Sequence, residues 1–333
     1  MERKSKIEVI AEIAQGYEGH PKLAELLTVG ALASGADAIK YQLVYVDELA
    51  TPDYLYYELF KSLEMSTDVW KNICNTIHAK NKKLYFDVFG MQSLSVAKKV
   101  QADGVKIHTT DFYNRDLIVN AINNFDKVFI SIGGIQLEDI DLLVNEILFD
   151  HCEQICLLYG FQSEPTPLNQ NNLLKFESFK ERYSDFNFGF MDHADGGKDE
   201  AQQLSLVALG MGITAIEKHL TLDRLLKIED YVSGISPDDF KKFVKMVKKY
   251  ESALGTPSLK LSDLEIQYGK KAIKIVVANK DLKQGSKIEL NDITLKRCGA
   301  IKNGEPIRQI EKVLNKTLKE DISMNNPIFM GQI

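Results

Sequence analysis

Glu12, Lys40, Gln42, Lys106, His108, Thr110, Ser131, His193, Glu217 and His219 share a placement. Each falls on alternate positions near the C-terminal end of a short run rich in β-branched or aromatic residues. Side chains alternate across a strand, so these residues project to one face of their strands. A strand interior normally wants Val, Ile and Leu, and lysines, acids and histidines are costly to bury without a task. Their convergence is the strongest functional signal in the chain. His193 and His219 come from the last two runs. Two imidazoles at neighbouring strand ends can bind one divalent cation and leave positions open for water or a substrate oxygen, with Glu217 on the same face and Asp192 beside them. The plainer reading is that each histidine is hydrogen-bonded to a loop. Lys40 and Lys106 suit a phosphate or carboxylate as point charges, or snorkel to a rim.

The elements that must carry these residues follow from periodicity. Strand patterns cover 7–14, 38–43, 83–89, 104–110, 127–133, 155–161, 188–194 and 215–221. Helical periodicity fills 23–34, 68–79, 93–100, 116–123, 137–148, 168–183, 200–211 and 238–254. Eight strands alternating with helices predict a parallel (β/α)8 TIM barrel, whose active site lies at the C-terminal strand ends. An open doubly wound sheet would want a G-x-G-x-x-G loop after the first strand, and residues 14–19 lack that spacing. The barrel is expected over 1–255 and a turn-rich, extended linker over 256–269. A small β-rich module is expected over 270–333, with turns at Lys283-Gln-Gly and Lys302-Asn-Gly.

The 333 residues, 44% hydrophobic and 26% charged, have the composition of a globular protein with a large core. The formal net charge of −6 argues against nucleic-acid binding, which needs a broad basic surface. No apolar run approaches the roughly 20 residues a bilayer requires. The charged opening leads straight into a strand pattern, so neither signal peptide nor membrane partner is expected. The four cysteines show no paired zinc spacing and read as reduced thiols. A cytoplasmic enzyme follows as the default expectation.

The residues also resemble a family. Ala11-Glu-Ile-Ala-Gln-Gly-Tyr-Glu-Gly19 is similar to the A-E-I-G-x-N-H-x-G opening of the bacterial sialic acid synthases, which condense phosphoenolpyruvate with an N-acetylated sugar. Gly35-Ala-Asp-Ala-Ile-Lys-Tyr-Gln42 resembles G-A-D-A-V-K-F-Q, and Val105-Lys-Ile-His-Thr-Thr-Asp111 resembles K-I-x-S-G-E. Met191-Asp-His193 resembles S-D-H, and Glu217-Lys-His-Leu-Thr-Leu-Asp-Arg224 resembles E-K-H-F-T-L-D-R. The stretch from Ala278 to Gly299 is similar to the family's antifreeze-like (SAF) domain, including its K-R-P-G. The resemblance runs through nearly the whole chain.

It implies a metal-dependent enzyme, usually with Mn2+, although Mg2+ or Co2+ also suit, held by His193 and His219. Lys40, Lys106 and the neighbourhood of Ser131 would hold phosphoenolpyruvate as co-substrate. Glu12 would contact the sugar, and Arg297 would reach the acceptor in a homodimer whose SAF domain covers the partner barrel. The metal would act as a Lewis acid toward the acceptor aldehyde while C3 of phosphoenolpyruvate attacks it. Water then adds at C2 and phosphate leaves. Glu12 and Asp111 are the candidates for hydroxyl contacts and proton traffic, with Gln42, Thr109, Gln162 and Asp192 completing the substrate contacts.

Departures from the pattern concentrate where the acceptor should bind. Gly16-Tyr17 replaces N-H, Thr109-Thr110-Asp111 replaces S-G-E, and His108 stands for a small residue. Gln162 and Glu164 fall in a rewritten C-T-S-x-Y-P-T-P segment, Met191 replaces a serine, and Glu229-Asp230-Tyr231 replaces P-D-H. The expected reaction is therefore a synthase step on an aldose or N-acetylated amino sugar whose identity stays open. The alternatives are a metal-dependent sugar-acid aldolase or lyase, which would be expected to lose the lysines, and a non-catalytic sugar-binding relative, which would be expected to lose a histidine.

Overall fold

The computed structural model describes residues 6–163, 165–299 and 304–333. Glu164, residues 302 and 303 of the predicted tail turn, and the charged opening residues 1–5 lie outside that set. Eight parallel strands close on themselves: β1 (Glu8–Ala14), β2 (Ala38–Leu43), β3 (Lys83–Val88), β4 (Gly104–Ile107), β5 (Val128–Ser131), β6 (Ile155–Tyr159), β7 (Asn187–Asp192) and β8 (Ala215–His219). Closure is made by β8 on β1, in a register that sets Glu12 opposite His219. The barrel predicted from alternation is the observed fold.

A helix follows each strand: α1 (Pro21–Ser34), α2 (Thr67–His78), α3 (Met91–Lys99), α4 (Arg115–Asn124), α5 (Leu137–Leu143), α6 (Lys175–Arg182), α7 (Glu200–Gly210) and α8 (Pro237–Glu251). Local chemistry sets their ends. Ser236 accepts from the Asp239 amide and Pro237 occupies the first turn of α8, while α1 stops at Gly35 with φ 83°. The predicted helix over 168–183 is shorter, because its first part is only a 3-10 turn, Leu168–Gln170.

Outward-facing Ile, Val, Leu and aromatic residues of the strands pack against the helices in one core. Inside the barrel, Ile10, Ala38, Tyr85, Phe129, Cys156, Leu158, Met191 and Ala215 form a second, apolar layer. That layer plugs the lumen below the polar residues, so this end of the barrel is a packed floor rather than a pore.

The chain divides into two compact units, one through Thr256 and one from Pro257. The second has its own core, built from Val276, Ile288, Ile307, Val313 and Ile328 among others, and an antiparallel pair, β9 (Ile275–Ala278) with β10 (Ile293–Lys296). The stretch expected to be an extended linker instead enters a helix, α9 (Asp263–Ala272). Ser262 and Glu265 form a reciprocal capping box there, a signal that overrides the turn-rich residues before it. All four cysteines are free thiols. Among the described residues no helix is long and apolar enough to cross a membrane.

Candidate active site at the barrel mouth

A cavity of about 250 Å3 opens at the C-terminal ends of the strands. Glu12, Gln42, Asp87, Lys106, His108, Thr109, Ser131, Gln162, Met191, His193, Glu217 and His219 line it, together with Gly133, Gly160 and Phe161. Three larger grooves, about 540, 640 and 340 Å3, lie away from these side chains.

Charge governs the acidic lining of the cavity and Lys40, which is not itself one of the lining residues. Lys40, fully buried, donates to Asp87 Oδ1 at 2.5 Å, contacts Glu12 Oε2 closely and lies 3.5 Å from Glu217 Oε2. Lys106 donates to Glu217 Oε1 at 2.7 Å and approaches Asp87 Oδ2 at 3.5 Å. Two ammoniums thus face three carboxyl groups. Burial pushes the Glu12 carboxyl up to about 8; Lys40 opposes that rise, and Glu217 and Asp87 add to it. Burial would raise Glu217 as well, but Lys106 and Lys40 hold it well below the usual carboxylate range. Burial alone would lower Lys40, yet Asp87, Glu12 and Glu217 hold its ammonium charged. With the proton on Glu12, two carboxylates balance two ammoniums.

His193 and His219 follow from β7 and the end of β8, with ring centroids 5.1 Å apart and planes inclined at 52°. Burial pushes both rings down to about 3, with His219 adding to the shift of His193 while Glu217 opposes that of His219. Both imidazoles are therefore neutral at physiological pH, and neither Nδ1 has a hydrogen-bond partner. Neutral, unpartnered imidazole nitrogens at adjacent strand ends suit a divalent cation. Among the described residues no group of three or more His, Cys, Asp or Glu is arranged to hold a metal. The described residues thus offer two donors, and water or substrate oxygens would complete a coordination sphere.

The hydroxyls of Thr109 and Ser131 meet at 2.7 Å, and Ser131 Oγ donates to Met191 Sδ at 3.8 Å. His108 is half-buried against Phe89 and lowered to about 4 by burial and by Lys106. Gln42 accepts from Gln15, and Gln162 donates to Asp230 Oδ1 at 2.8 Å.

Several expected site residues lie elsewhere. Asp192 is turned to the outer face of the barrel, where it accepts from Ser205 and Lys218. Strand alternation forces this, since Met191 and His193 on either side both face the lumen. Asp111 sits on a short 3-10 turn after β4, outside the cavity lining, and takes hydrogen bonds from Thr110 and Asn114. Thr110 is exposed and also outside the lining, because β4 ends at Ile107 and His108 caps the turn that follows. Tyr17 packs edge-on against Tyr41 and Trp70 in the outer core, its hydroxyl donating to the Gln42 carbonyl. Gly16 approaches the Ile13 and Glu229 carbonyls, and Tyr231 offers its own carbonyl to Arg224. Arg297 belongs to the second unit, where its Nε donates to the Ala272 carbonyl. Asp87 was not foreseen, although alternation along 83–89 carries the signal that would have found it.

Comparison with known proteins agrees with this architecture. Residues 27–258 match the NeuB family and residues 273–333 match the SAF domain. An N,N'-diacetyllegionaminic acid synthase of Campylobacter jejuni is 25% identical, over 94% of this chain and 97% of its own length. A pseudaminic acid synthase of the same species is 25% identical over 98% and 96%. The crystal structure of an N-acetylneuraminic acid synthetase from Leptospira borgpetersenii, in complex with citrate, superposes with a TM-score of 0.73 at 25% identity, covering 80% of this chain and 93% of that one. A barrel and tail matched in this order and over this length place the chain in the NeuB family, with an SAF domain as its C-terminal part.

Proposed function

We propose that this protein condenses phosphoenolpyruvate with an aldose or N-acetylated amino sugar to give a sialic-acid-like ulosonic acid and phosphate, as a C–C bond-forming transferase. One observation carries the reading: a barrel mouth in which two neutral, unpartnered imidazoles face a lumen holding two ammoniums. The family's legionaminic and pseudaminic acid synthases support an enzyme of this kind. In our reading catalysis belongs to the barrel, residues 1–255. The tail from residue 270 serves as the SAF cap of a partner barrel in a cytoplasmic homodimer, bringing Arg297 to the acceptor.

A divalent cation, Mn2+ in our reading, would be held by His193 and His219 and would supply Lewis acidity toward the acceptor carbonyl. Lys40 and Lys106 hold the donor's anionic groups and offset the charge gathering on the departing phosphate. The Thr109 and Ser131 hydroxyls add donors on the same side. Held this way, C3 of the donor lies against the acceptor carbonyl carbon, a water adds at C2, and the C2–O bond to phosphate breaks. Glu12, whose Oε2 lies against the Lys40 ammonium, is our proposed partner for an acceptor hydroxyl, exchanging a proton with it. Gln42, Gln162 and Met191 shape the acceptor side.

The test is direct. Purified protein with Mn2+ should release phosphate from phosphoenolpyruvate only when a suitable aldose is added. A panel of N-acetylmannosamine, its 6-deoxy diamino relatives and plain aldoses that yields no metal-dependent phosphate would sink the synthase reading for those acceptors.

A further inference from the structure

We infer that Asp192 and Lys218 are positioning residues that fix the spacing between His193 and His219. The inference rests on the reading of those histidines as a metal pair. Each member of the ion pair directly precedes one histidine in sequence, and the β7–β8 ladder sets Asp192 opposite Lys218. Their side chains lie on the outer face of the barrel, opposite the lumen, and both are fully buried.

The contacts close around His193. Lys218 Nζ donates to Asp192 Oδ1 at 3.1 Å and to the Ala194 carbonyl at 3.4 Å, while the Ala194 amide donates to Asp192 Oδ1 at 2.9 Å. Residues 192 and 194 are thus tied together and to β8, with His193 spanned between them. Ser205 from α7 holds the other carboxylate oxygen at 2.6 Å, which fixes the carboxylate from the helix side. The His193 carbonyl is itself engaged by the Thr166 amide and the Ser233 hydroxyl.

Two further arguments favour positioning over simple stabilisation. A buried ion pair loses its hydration on both partners, and a well-packed apolar pair of similar volume is often as stable or more so. Stability alone gives no reason to bury a lysine and an aspartate here. Among the described residues no carboxylate or carbonyl pairs with either ring nitrogen of His193 or His219, so the outer partner that usually sets the orientation of a metal-binding imidazole is missing. With both Nδ1 atoms unpartnered, ring placement depends on the backbone from which each ring springs. The Asp192–Lys218 pair is the bond network that fixes that backbone on both strands at once.

The experiment uses the full chain and Mn2+ alone as probe. In the double variant Asp192→Leu/Lys218→Met, which removes both charges together, the melting temperature should stay within a few degrees of the parent. Mn2+ affinity by titration calorimetry should fall at least tenfold, and the centroid separation of the two rings in metal-free crystals should move from 5.1 Å. Ser205→Ala, a milder change that releases one carboxylate oxygen, should weaken Mn2+ binding severalfold and keeps the test available if the double variant fails to fold. Parental Mn2+ affinity in either folded variant would overturn the positioning role. If the parent itself takes up no Mn2+, or if His219→Ala leaves Mn2+ affinity unchanged, the metal reading is what fails. The ring separation then decides the positioning claim, and an unchanged 5.1 Å in the double variant refutes it.

Discussion

Three carboxyl groups and two ammoniums share one lumen, and the proton on Glu12 is what balances them. The folded-state value of Glu12 is raised to about 8 from an ordinary 4.5. Its contribution to stability is therefore present in full below pH 4.5 and is lost as pH rises through about 8. The same proton matters for the donor. Above pH 8 the free enzyme gains a third negative charge beside Lys40, so the KM for phosphoenolpyruvate should climb between pH 7 and 9, and Glu12→Gln should flatten that climb. A KM independent of pH in the parent would count against a protonated Glu12. Met191 makes a second residue-scale case. It lines the cavity where the synthase pattern has serine, and its sulfur engages Ser131. Met191→Ser should widen the acceptor side and shift relative kcat/KM toward bulkier acylated sugars by about tenfold, the scale at which pocket volume discriminates. An unchanged acceptor ranking would remove Met191 from the specificity set. Alternation made nine of the lumen-facing positions legible in the sequence. Asp192 was misread because adjacency to a histidine was given weight over alternation, which sends neighbours to opposite faces.

At the level of elements, the strands end earlier than their hydrophobic patterns suggest. The runs predicted over 104–110 and 188–194 stop at Ile107 and Asp192, so His108 and His193 sit on the first residues of loops. Residue type alone could not show this, because backbone groups there leave the ladder for loop contacts. The loops after β7 and β8 are fastened by Arg224. Its Nη1 donates to the carbonyls of Tyr231, Val232 and Gly234, and its Nη2 to Asp195 Oδ1 at 3.1 Å. A side chain at Gly196 would collide with the Gly234 carbonyl and with Arg224, which shows how tightly the loops after β7 and β8 meet. The fork geometry of guanidinium suits three carbonyls and a carboxylate, whereas an ammonium has fewer and differently directed donors. Arg224→Met should destabilise the loop assembly by about 2–4 kcal/mol, given that hydrogen bonds to charged groups contribute about 1.5–3 kcal/mol each and share one donor group here. Amide exchange at Gly196 and Gly234 should quicken, the acceptor KM should rise more than kcat falls, and Arg224→Lys should recover only part of the loss. Parental exchange rates in Arg224→Met would show that the loops hold without the clamp.

Across the whole molecule, the net charge of −6 conceals a division of charge. Residues 257–333 carry 14 Lys and Arg against 9 Asp and Glu, and residues 1–256 carry 27 against 38. The tail is therefore basic and the barrel acidic, which the averaged figure could not reveal. The barrel itself was legible because eight strand–helix repeats reinforce one another. The tail's short strands and isolated bridges gave little beyond turns, and its helix α9 was hidden by the turn-rich residues ahead of it. Opposite net charges on two units would draw the tail of one copy toward the barrel of another, and this is the association the proposed homodimer needs. Exposed charges are screened over a length of about 10 Å at 0.1 M salt and about 3 Å at 1 M. Raising NaCl across that range should weaken self-association in sedimentation experiments. If Arg297 completes the acceptor site across the dimer, the same salt should raise the acceptor KM more than the phosphoenolpyruvate KM, and Arg297→Ala should reproduce the acceptor effect at low salt without altering the donor KM. A chain that stays monomeric at low salt, or equal salt effects on both constants, would show that each barrel works without a partner's tail.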